Sequence, residues 1–252
     1  MRHLGLVIGL GRSLCSGGWL QLPDVYAGYE LLARATREGI DYRRELRRVD
    51  SGVAHIAVHG GGIEVGTAEV ADAVAAANGQ DYYAFVGLRS SGNNELHVTS
   101  VCFDEPMCVE LQRVSRRTVS YHGCRGLAPV IHLGGGDQGL KRRAGRALGA
   151  AGFVVDWHTA EGLGGSSQGN ICNRNASGAG LQLEISAGLR GAFFPGGRTG
   201  QVARESGVRT EVFRRFVAAL ASATADSNSS GNAGAGDGGV VDVGVPTGIV
   251  DV

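Results

Sequence analysis

Between Val53 and Ala77 the chain changes its periodicity within a few residues, and that change limits the folds open to it. Val53-Ala-His-Ile-Ala-Val58 is an almost continuous apolar run with three β-branched residues, the pattern of a strand covered on both faces. It breaks into Gly60-Gly-Gly62, and glycine makes so tight a turn cheaply because it adopts φ > 0 without strain. From Thr67 the order Thr-Ala-Glu-Val-Ala-Asp-Ala-Val-Ala-Ala-Ala77 reads as a helix. A buried strand leading through a short loop into a helix is the building unit of α/β proteins. His59 closes the strand and Glu64 follows the loop, so one corner carries an imidazole and a carboxylate. Open α/β sheets bind ligands at such strand ends, and this pair of donors suits a divalent metal, zinc above all.

The same alternation recurs along the chain. Further strands are expected at 42–49, 82–86, 96–101, 117–121, 130–133, 153–157 and 181–185. Helices are expected after Asp24 as far as Gly39, over 105–115, from an Asp137 cap through Ala151, and over 209–221. The pattern predicts a three-layer α/β/α sandwich around a mixed sheet of about eight strands. Residues 23–222 then form one catalytic domain, a size that buries a full core. Residues 223–252, dominated by Ser, Asn, Gly and Ala, read as a disordered tail. In the segment 1–22, Met1-Arg-His precedes an apolar run from Leu4 to Leu10 that is short and followed at once by Arg12. A secretory signal and an ordinary N-terminal segment both stay open. Residues 159–180 lack periodicity, and a loop that long inside a domain is usually functional or mobile.

Charge narrows the partners. Basic and acidic residues balance at 24 each, but 221–252 holds four Asp and no Lys or Arg, leaving 24 basic against 20 acidic in 1–220. So small an excess, without basic stripes interleaved with aromatics, argues against nucleic acid and suits an anionic small molecule or polymer. No apolar stretch is long enough to span a membrane. Five cysteines without a C-x-x-C pair leave the disulfide state open. Asn175 and Asn228 begin Asn-x-Ser sequons, which matter only in a secreted eukaryotic chain.

His59 and His122 share a local grammar, a strand ending in His-Gly. Two such termini on neighbouring strands bring both imidazoles to one point, with Glu64 as third ligand and a fourth position left for water. Glu184, in Leu-x-Leu-Glu-Ile, faces away from its leucines or is buried at real cost unless paired, and it can serve as general base. His55, His97 and His132 read as hydrogen-bonded core histidines, and His3 and His158 as terminal or surface ones. Glu64 taken alone also fits the start of a helix, where its charge complements the dipole.

His59-Gly-Gly-Gly-Ile-Glu64, Ser91-Gly-Asn93, Leu96-His-Val-Thr-Ser100, Phe103-Asp-Glu-Pro106, His122-Gly-Cys124, Asn170-Ile-Cys-Asn-Arg174 and Leu181-Gln-Leu-Glu-Ile-Ser186 together resemble the poly-γ-glutamate hydrolase family. The likeness runs from about Tyr26 to Phe194, and it implies a fold resembling that of the zinc carboxypeptidases. It implies that His59, Glu64 and His122 bind one zinc ion, that Glu184 is the catalytic carboxylate, and that the substrate is poly-γ-glutamate or a γ-glutamyl peptide cut at its amide bonds by a monomer. Zinc carboxypeptidases space their first two ligands as His-x-x-Glu, whereas here the spacing is His-x-x-x-x-Glu. No residues match those that grip a terminal carboxylate, so exopeptidase action is not implied. A polyanion needs donors near the metal, and Arg89, Asn93, Asn173, Arg174 and Arg190 are the candidates, Arg because it clamps carboxylates bidentately.

Three other readings compete. His59-Gly-Gly-Gly62 also matches an esterase oxyanion loop, and Gly165-Ser-Ser-Gln-Gly169 matches G-x-S-x-G. That triad runs Ser, acid, His, and no histidine follows Ser167. A phosphate site at Gly134-Gly-Gly-Asp137 lacks a P-loop lysine, and Asp137 repels phosphate. The third is a catalytically inactive protein that only binds poly-γ-glutamate or another anionic polymer; within the zinc reading itself, a peptidase or amidase of other specificity stays open.

Overall fold

The computed structural model describes residues 24–157 and 164–225. The signal-like segment, the tail beyond Ala225, His3, His158, Cys15 and Asn228 lie outside the described residues. The chain runs α1 (Tyr29–Ala35), β1 (Tyr42–Arg47), β2 (Val53–Gly61), α2 (Thr67–Asn78), β3 (Asp81–Gly87), α3 (Pro106–Val114), β4 (Arg117–Cys124), β5 (Val130–Gly134), α4 (Gln138–Ala150), β6 (Val154–Asp156), β7 (Leu181–Ser186), α5 (Ala187–Ala192), α6 (Gln201–Glu205) and α7 (Glu211–Thr224). Short 3-10 turns occupy Asn93–Leu96, Ile171–Asn173 and Pro195–Gly197.

Seven strands form one mixed sheet in the order β1-β3-β2-β4-β7-β5-β6. β3, β2, β4 and β7 are parallel; β1 and β5 pair antiparallel to β3 and β7, and β6 is parallel to β5. The expected eighth strand, 96–101, does not form: its residues continue from the 3-10 turn as an irregular segment packed over the end of β2. Asp24 does not cap α1 either. That helix starts four residues later, where the Tyr29 N–H donates to Asp104 Oδ1 at 2.6 Å.

Burial explains where the helices sit. On one face Val119, Tyr121, Ile131, Leu133, Leu181, Leu183 and Ile185 pack against α2, α4 and α7. α4 supplies Leu140, Ala144 and Leu148, one turn apart on one side, and Asp137 caps it by accepting from the Leu140 N–H at 2.8 Å. α7 adds Phe213, Phe216 and Leu220. On the opposite face Ile56, Val58, Tyr83 and Phe85 pack against Leu32, Leu96, Val98, Phe103 and Leu111, contributed by α1, α3 and the 93–103 segment. This second cluster takes no side chain from β4, β5, β6 or β7. By strand alternation those strands turn Ser120, His122, Gln182, Glu184, His132 and Asp156 to that side. Half of one sheet face is therefore polar. Among the described residues the free thiols are Cys108, Cys124 and Cys172.

Candidate metal centre

β2 and β4 stay in register as far as the Ile56–Ser120 pair and no further. From β2 the chain passes to β3 on one side and then to β4 on the other, so a crevice opens where the strand order reverses, the usual binding place in such sheets. Strict alternation along β2 would turn His59 to the side of His55 and Ala57, against the α2 layer. Between Ala57 and Gly60, however, the pairing with β3 slips by one residue. This bulge brings His59 round to the face of His122, as bulges near functional sites do.

The triple glycine has two physical causes. Gly61 alone needs a left-handed backbone, φ 65°. At Gly60 and Gly62 the constraint is space: a Cβ would come within 2.8 Å of Ala68 Cβ and 2.4 Å of Asn93 Nδ2. The loop closes when the Glu64 N–H donates to the His59 carbonyl at 2.8 Å and the Thr67 hydroxyl donates to the Glu64 carbonyl at 2.8 Å.

Both histidines are almost fully buried, and their outer nitrogens are held. His59 Nε2–H donates to the Val98 carbonyl at 2.8 Å, which leaves Nδ1 with a lone pair. His122 Nε2 lies 2.9 Å from Ser120 Oγ, which can take its proton and leave Nδ1 bare in the same way. The two Nδ1 atoms are 3.2 Å apart. Glu64 Oε1 is 3.2 Å from His59 Nδ1, and Oε2 is 3.6 Å from His122 Nδ1. Gly123 N–H fixes Glu64 Oε2 at 2.8 Å. Two ligands on one tetrahedral zinc, each at about 2.0–2.1 Å, sit roughly 3.3 Å from one another. One donor atom from each of His59, Glu64 and His122 lies within 4.8 Å of the others, the one such group among the described residues. Converging lone pairs and a carboxylate repel unless a cation lies between them, so these residues fit a zinc ion.

Glu184 is the direct register neighbour of His122 on β7. It turns away from Leu181, Leu183 and Ile185, and its Oε1 accepts from Gln182 Nε2 at 2.9 Å. The two carboxylates are driven apart. Burial raises Glu184 well above the usual carboxylate range, and the charge of Glu64 adds to it. Glu64 is raised by burial too, but the two imidazoles bring it well below. Opposed shifts of this kind separate a proton carrier from a permanent anion.

The five expected substrate donors are bonded to protein. Arg89 pairs with Asp41 and Glu95 at 2.7 and 2.8 Å. Asn93 bonds both the N–H and the carbonyl of Arg89. Asn173 donates to the Gly165 and Ser167 carbonyls and accepts from the Gly136 and Gly180 N–H groups. Arg174 donates to the Phe103 carbonyl. Arg190 donates from Nε, Nη1 and Nη2 to the carbonyls of Ile185, Val65 and Cys124 at 2.9, 2.8 and 3.2 Å, tying together the chain just past Glu184, Glu64 and His122. Sequence reasoning missed His97. Its ring stacks on His59 with centroids 4.0 Å apart, its Nδ1 meets Asp24 Oδ1 at 2.7 Å, and its Nε2 lies 4.0 Å from Glu64 Oε1. The signal was there in Leu96-His-Val-Thr-Ser100, but an expected strand disguised it. His132 is half-buried and bonds Asp156 at 2.9 Å. His55 is a core histidine between Tyr121 and Gln80, and Asn175 is buried with its amide on Thr118 and Ala179.

A family model described as poly-gamma-glutamate hydrolase matches residues 26–219. The SPbeta prophage-derived UPF0714 protein YoqZ of Bacillus subtilis (strain 168) is 34% identical over 198 residues, 78% of this chain and 70% of that protein. The UPF0714 protein YndL of the same organism is 35% identical over 174 residues, 68% of this chain and 67% of that one. Among solved structures, that of a bacteriophage poly-gamma-glutamate hydrolase superposes with a TM-score of 0.77 at 35% identity, covering 79% of this chain and 96% of that chain. A zinc-free apo structure of YndL superposes with a TM-score of 0.72 at 32% identity, covering 78% and 95%.

Proposed function

The chain belongs to the poly-γ-glutamate hydrolase family, and on that premise we propose that it hydrolyses the γ-glutamyl amide bonds of poly-γ-glutamate using one zinc ion held by His59, Glu64 and His122. The observation that carries the reading is the convergence of three donor atoms within 4.8 Å at the sheet's switch point, with Glu184 on the adjacent strand. A related structure named for its lack of zinc supports the choice of metal. When bound, zinc lowers the pKa of a water to about 7 and polarises a carbonyl.

The residues of the chain do the rest. Glu184 takes a proton as the water oxygen bonds to the γ-carbonyl carbon, and the carbonyl π pair moves onto its oxygen. When that pair returns, the C–N bond breaks, and the departing nitrogen takes the proton from Glu184. Arg190 holds the segments that carry Glu64, His122 and Glu184 through its bonds to their backbone carbonyls, while Arg89, Asn93, Asn173 and Arg174 brace neighbouring turns. Arg125, exposed three residues beyond His122 and without an ion pair among the described residues, is a guanidinium left for substrate carboxylates.

Zinc content and a gel assay on high-molecular-weight poly-γ-glutamate test the reading together. Glu184→Gln is expected to keep one zinc per chain and to lose about 10²–10⁴-fold in turnover. His59→Ala is expected to lose metal and activity alike. A near-normal rate in Glu184→Gln removes that residue from the mechanism. A zinc-loaded chain that binds the polymer without shortening it is a binding protein, not a hydrolase.

A further inference from the structure

Helix α4 carries its charge against its own stability. Over Gln138–Ala150 it holds Lys141, Arg142, Arg143 and Arg146 and no acidic residue. Arg142 and Arg143 each stand about one turn from Arg146, at i,i+4 and i,i+3, where like charges repel. All four cations come before the last turn, which has no basic residue, although the helix dipole favours cations at that end. On β1 such charge is absorbed locally, since Arg43, Arg44 and Arg47 each pair with an acidic side chain. The cations of α4 have no ion pair among the described residues. Arg143 alone is tied to the protein by its side chain, with Nε donating to the Ala223 carbonyl at 3.3 Å.

The other side of the helix is ordinary core. Leu140, Ala144 and Leu148 pack against the sheet and α7, which turns Arg142, Arg143 and Arg146 to solvent and leaves Lys141 half-buried. This cationic face belongs to the layer opposite the ligand set, because His122 and Glu184 are turned to the other side of the sheet. α4 lies over β5, β6 and β7, so a polymer leaving it has only the edge strand β6 to round before it meets the polar half face. Cations that weaken their own helix and gain no partner are a local conflict of the kind that marks functional positions. Guanidinium groups in a shallow row suit a ligand with many carboxylates in succession. Nucleic acid is less well served, because α4 has no aromatic side chain for bases to stack on.

Resting on the reading above, we propose that the outer face of α4 is a second binding site for poly-γ-glutamate, which holds the polymer by its carboxylates while another stretch of the same molecule is cut. Holding the polymer there raises the effective concentration of its other bonds at the metal centre. Affinity for long chains is gained, and the chemical step is left as it was.

The test neutralises the face in the full zinc-loaded chain with Lys141→Gln, Arg142→Gln, Arg143→Gln and Arg146→Gln combined, Gln being a good helix former without charge. A second variant, Arg142→Lys, Arg143→Lys and Arg146→Lys combined, keeps the charge. Binding to immobilised high-molecular-weight poly-γ-glutamate is measured by surface plasmon resonance in the Glu184→Gln background. Values of kcat and KM are measured with Glu184 in place, on the polymer and on a short γ-glutamyl oligomer. At about 0.01 M ionic strength, where charges act over roughly 30 Å, the Gln variant is expected to bind the polymer about tenfold more weakly and to raise its KM about tenfold. Its kcat, and its KM on the oligomer, should stay within about twofold. In about 1 M salt the difference should vanish. The Lys variant should stay within about threefold of the parent, and a loss as large as that of the Gln variant overturns the charge argument. The proposal also falls if the Gln variant binds the polymer within about twofold of the parent at low salt, or if its loss is as large on the oligomer. It falls too if duplex DNA displaces the parent from the immobilised polymer at a lower concentration of charge than free poly-γ-glutamate does, which would give the face to nucleic acid. Should the Gln variant not fold, Arg142→Gln with Arg146→Gln takes its place, with about threefold expected. An active wild type whose α4 variants bind like the parent sinks this proposal alone. A zinc-loaded wild type that leaves the polymer whole sinks the hydrolase reading, and binding to the immobilised polymer then decides this proposal by itself.

Discussion

Five imidazoles in the described residues differ in what surrounds them more than in the sequence around them. His55 and His59 stand four apart on one strand, yet His55 is sealed between Tyr121 and Gln80, and burial pushes its pKa from 6.5 to about 4. A histidine depressed in the fold takes up its proton more readily when unfolded. Its contribution is therefore complete above pH 6.5 and is lost as pH falls towards 4, by about 3 kcal/mol over that window. Denaturant unfolding of wild type and His55→Gln at pH 7 and pH 5 should show the variant losing less on acidification. An equal loss in both would mean that His55 is not the group responsible. Gly123 makes a steric claim: a Cβ there would lie 2.6 Å from Arg190 Cζ. Gly123→Ala should therefore displace the guanidinium that ties the three ligand-bearing segments, costing about 1–3 kcal/mol by overpacking and lowering zinc affinity, read by chelator competition.

At the scale of elements, the turn between β1 and β2 shows how a buried carboxylate fixes irregular chain. Asp50 is the one non-glycine residue of positive φ among those described, at 55°. Asp81, at the start of β3, accepts from the N–H groups of Val49, Asp50 and Ser51 and from the Ser51 hydroxyl, at 2.6–3.0 Å. Burial raises the Asp81 carboxyl, but these donors together bring it below its ordinary value. Its stabilising effect is thus present above the usual carboxylate range and disappears as pH falls through it. Asp81→Ala should cost about 2–3 kcal/mol in urea unfolding near neutral pH, as bonds to a charged acceptor are lost; a loss under half that would show the turn holds itself. The 97–100 segment makes the complementary point. Leu96 and Val98 are buried as an alternating strand would have them, but no sheet edge is available where they lie, because β2 already has β3 and β4 on its two sides. Val98 gives its carbonyl to His59 instead.

For the molecule as a whole, the site joins elements distant in sequence, so occupying it should stabilise the fold. Zinc in about thousandfold excess over its dissociation constant should add about 4 kcal/mol, seen as a melting temperature that falls on chelation and returns with zinc; no change would mean the three ligands do not share an ion. Helix α7 extends past the expected domain limit at 222, and its last turn is anchored where Gln80 Nε2 donates to the Thr224 carbonyl at 2.9 Å. A chain ending at Ala225 should keep full activity and melting temperature, whereas one ending at residue 222 should melt several degrees lower. The sequence by itself determined the class of fold, most of its strands and helices, the family motifs, and the four acidic and imidazole side chains on which the proposed chemistry depends. Those follow from local periodicity, turn glycines and motif spacing, which short stretches of chain carry. Only the tertiary structure decided that a bulge turns His59 to the face of His122, that Arg190 serves three backbone carbonyls, and that Asp24 and His97 stand over the ligands. Each of these depends on which segments meet in space, and a single chain's local pattern does not encode that meeting.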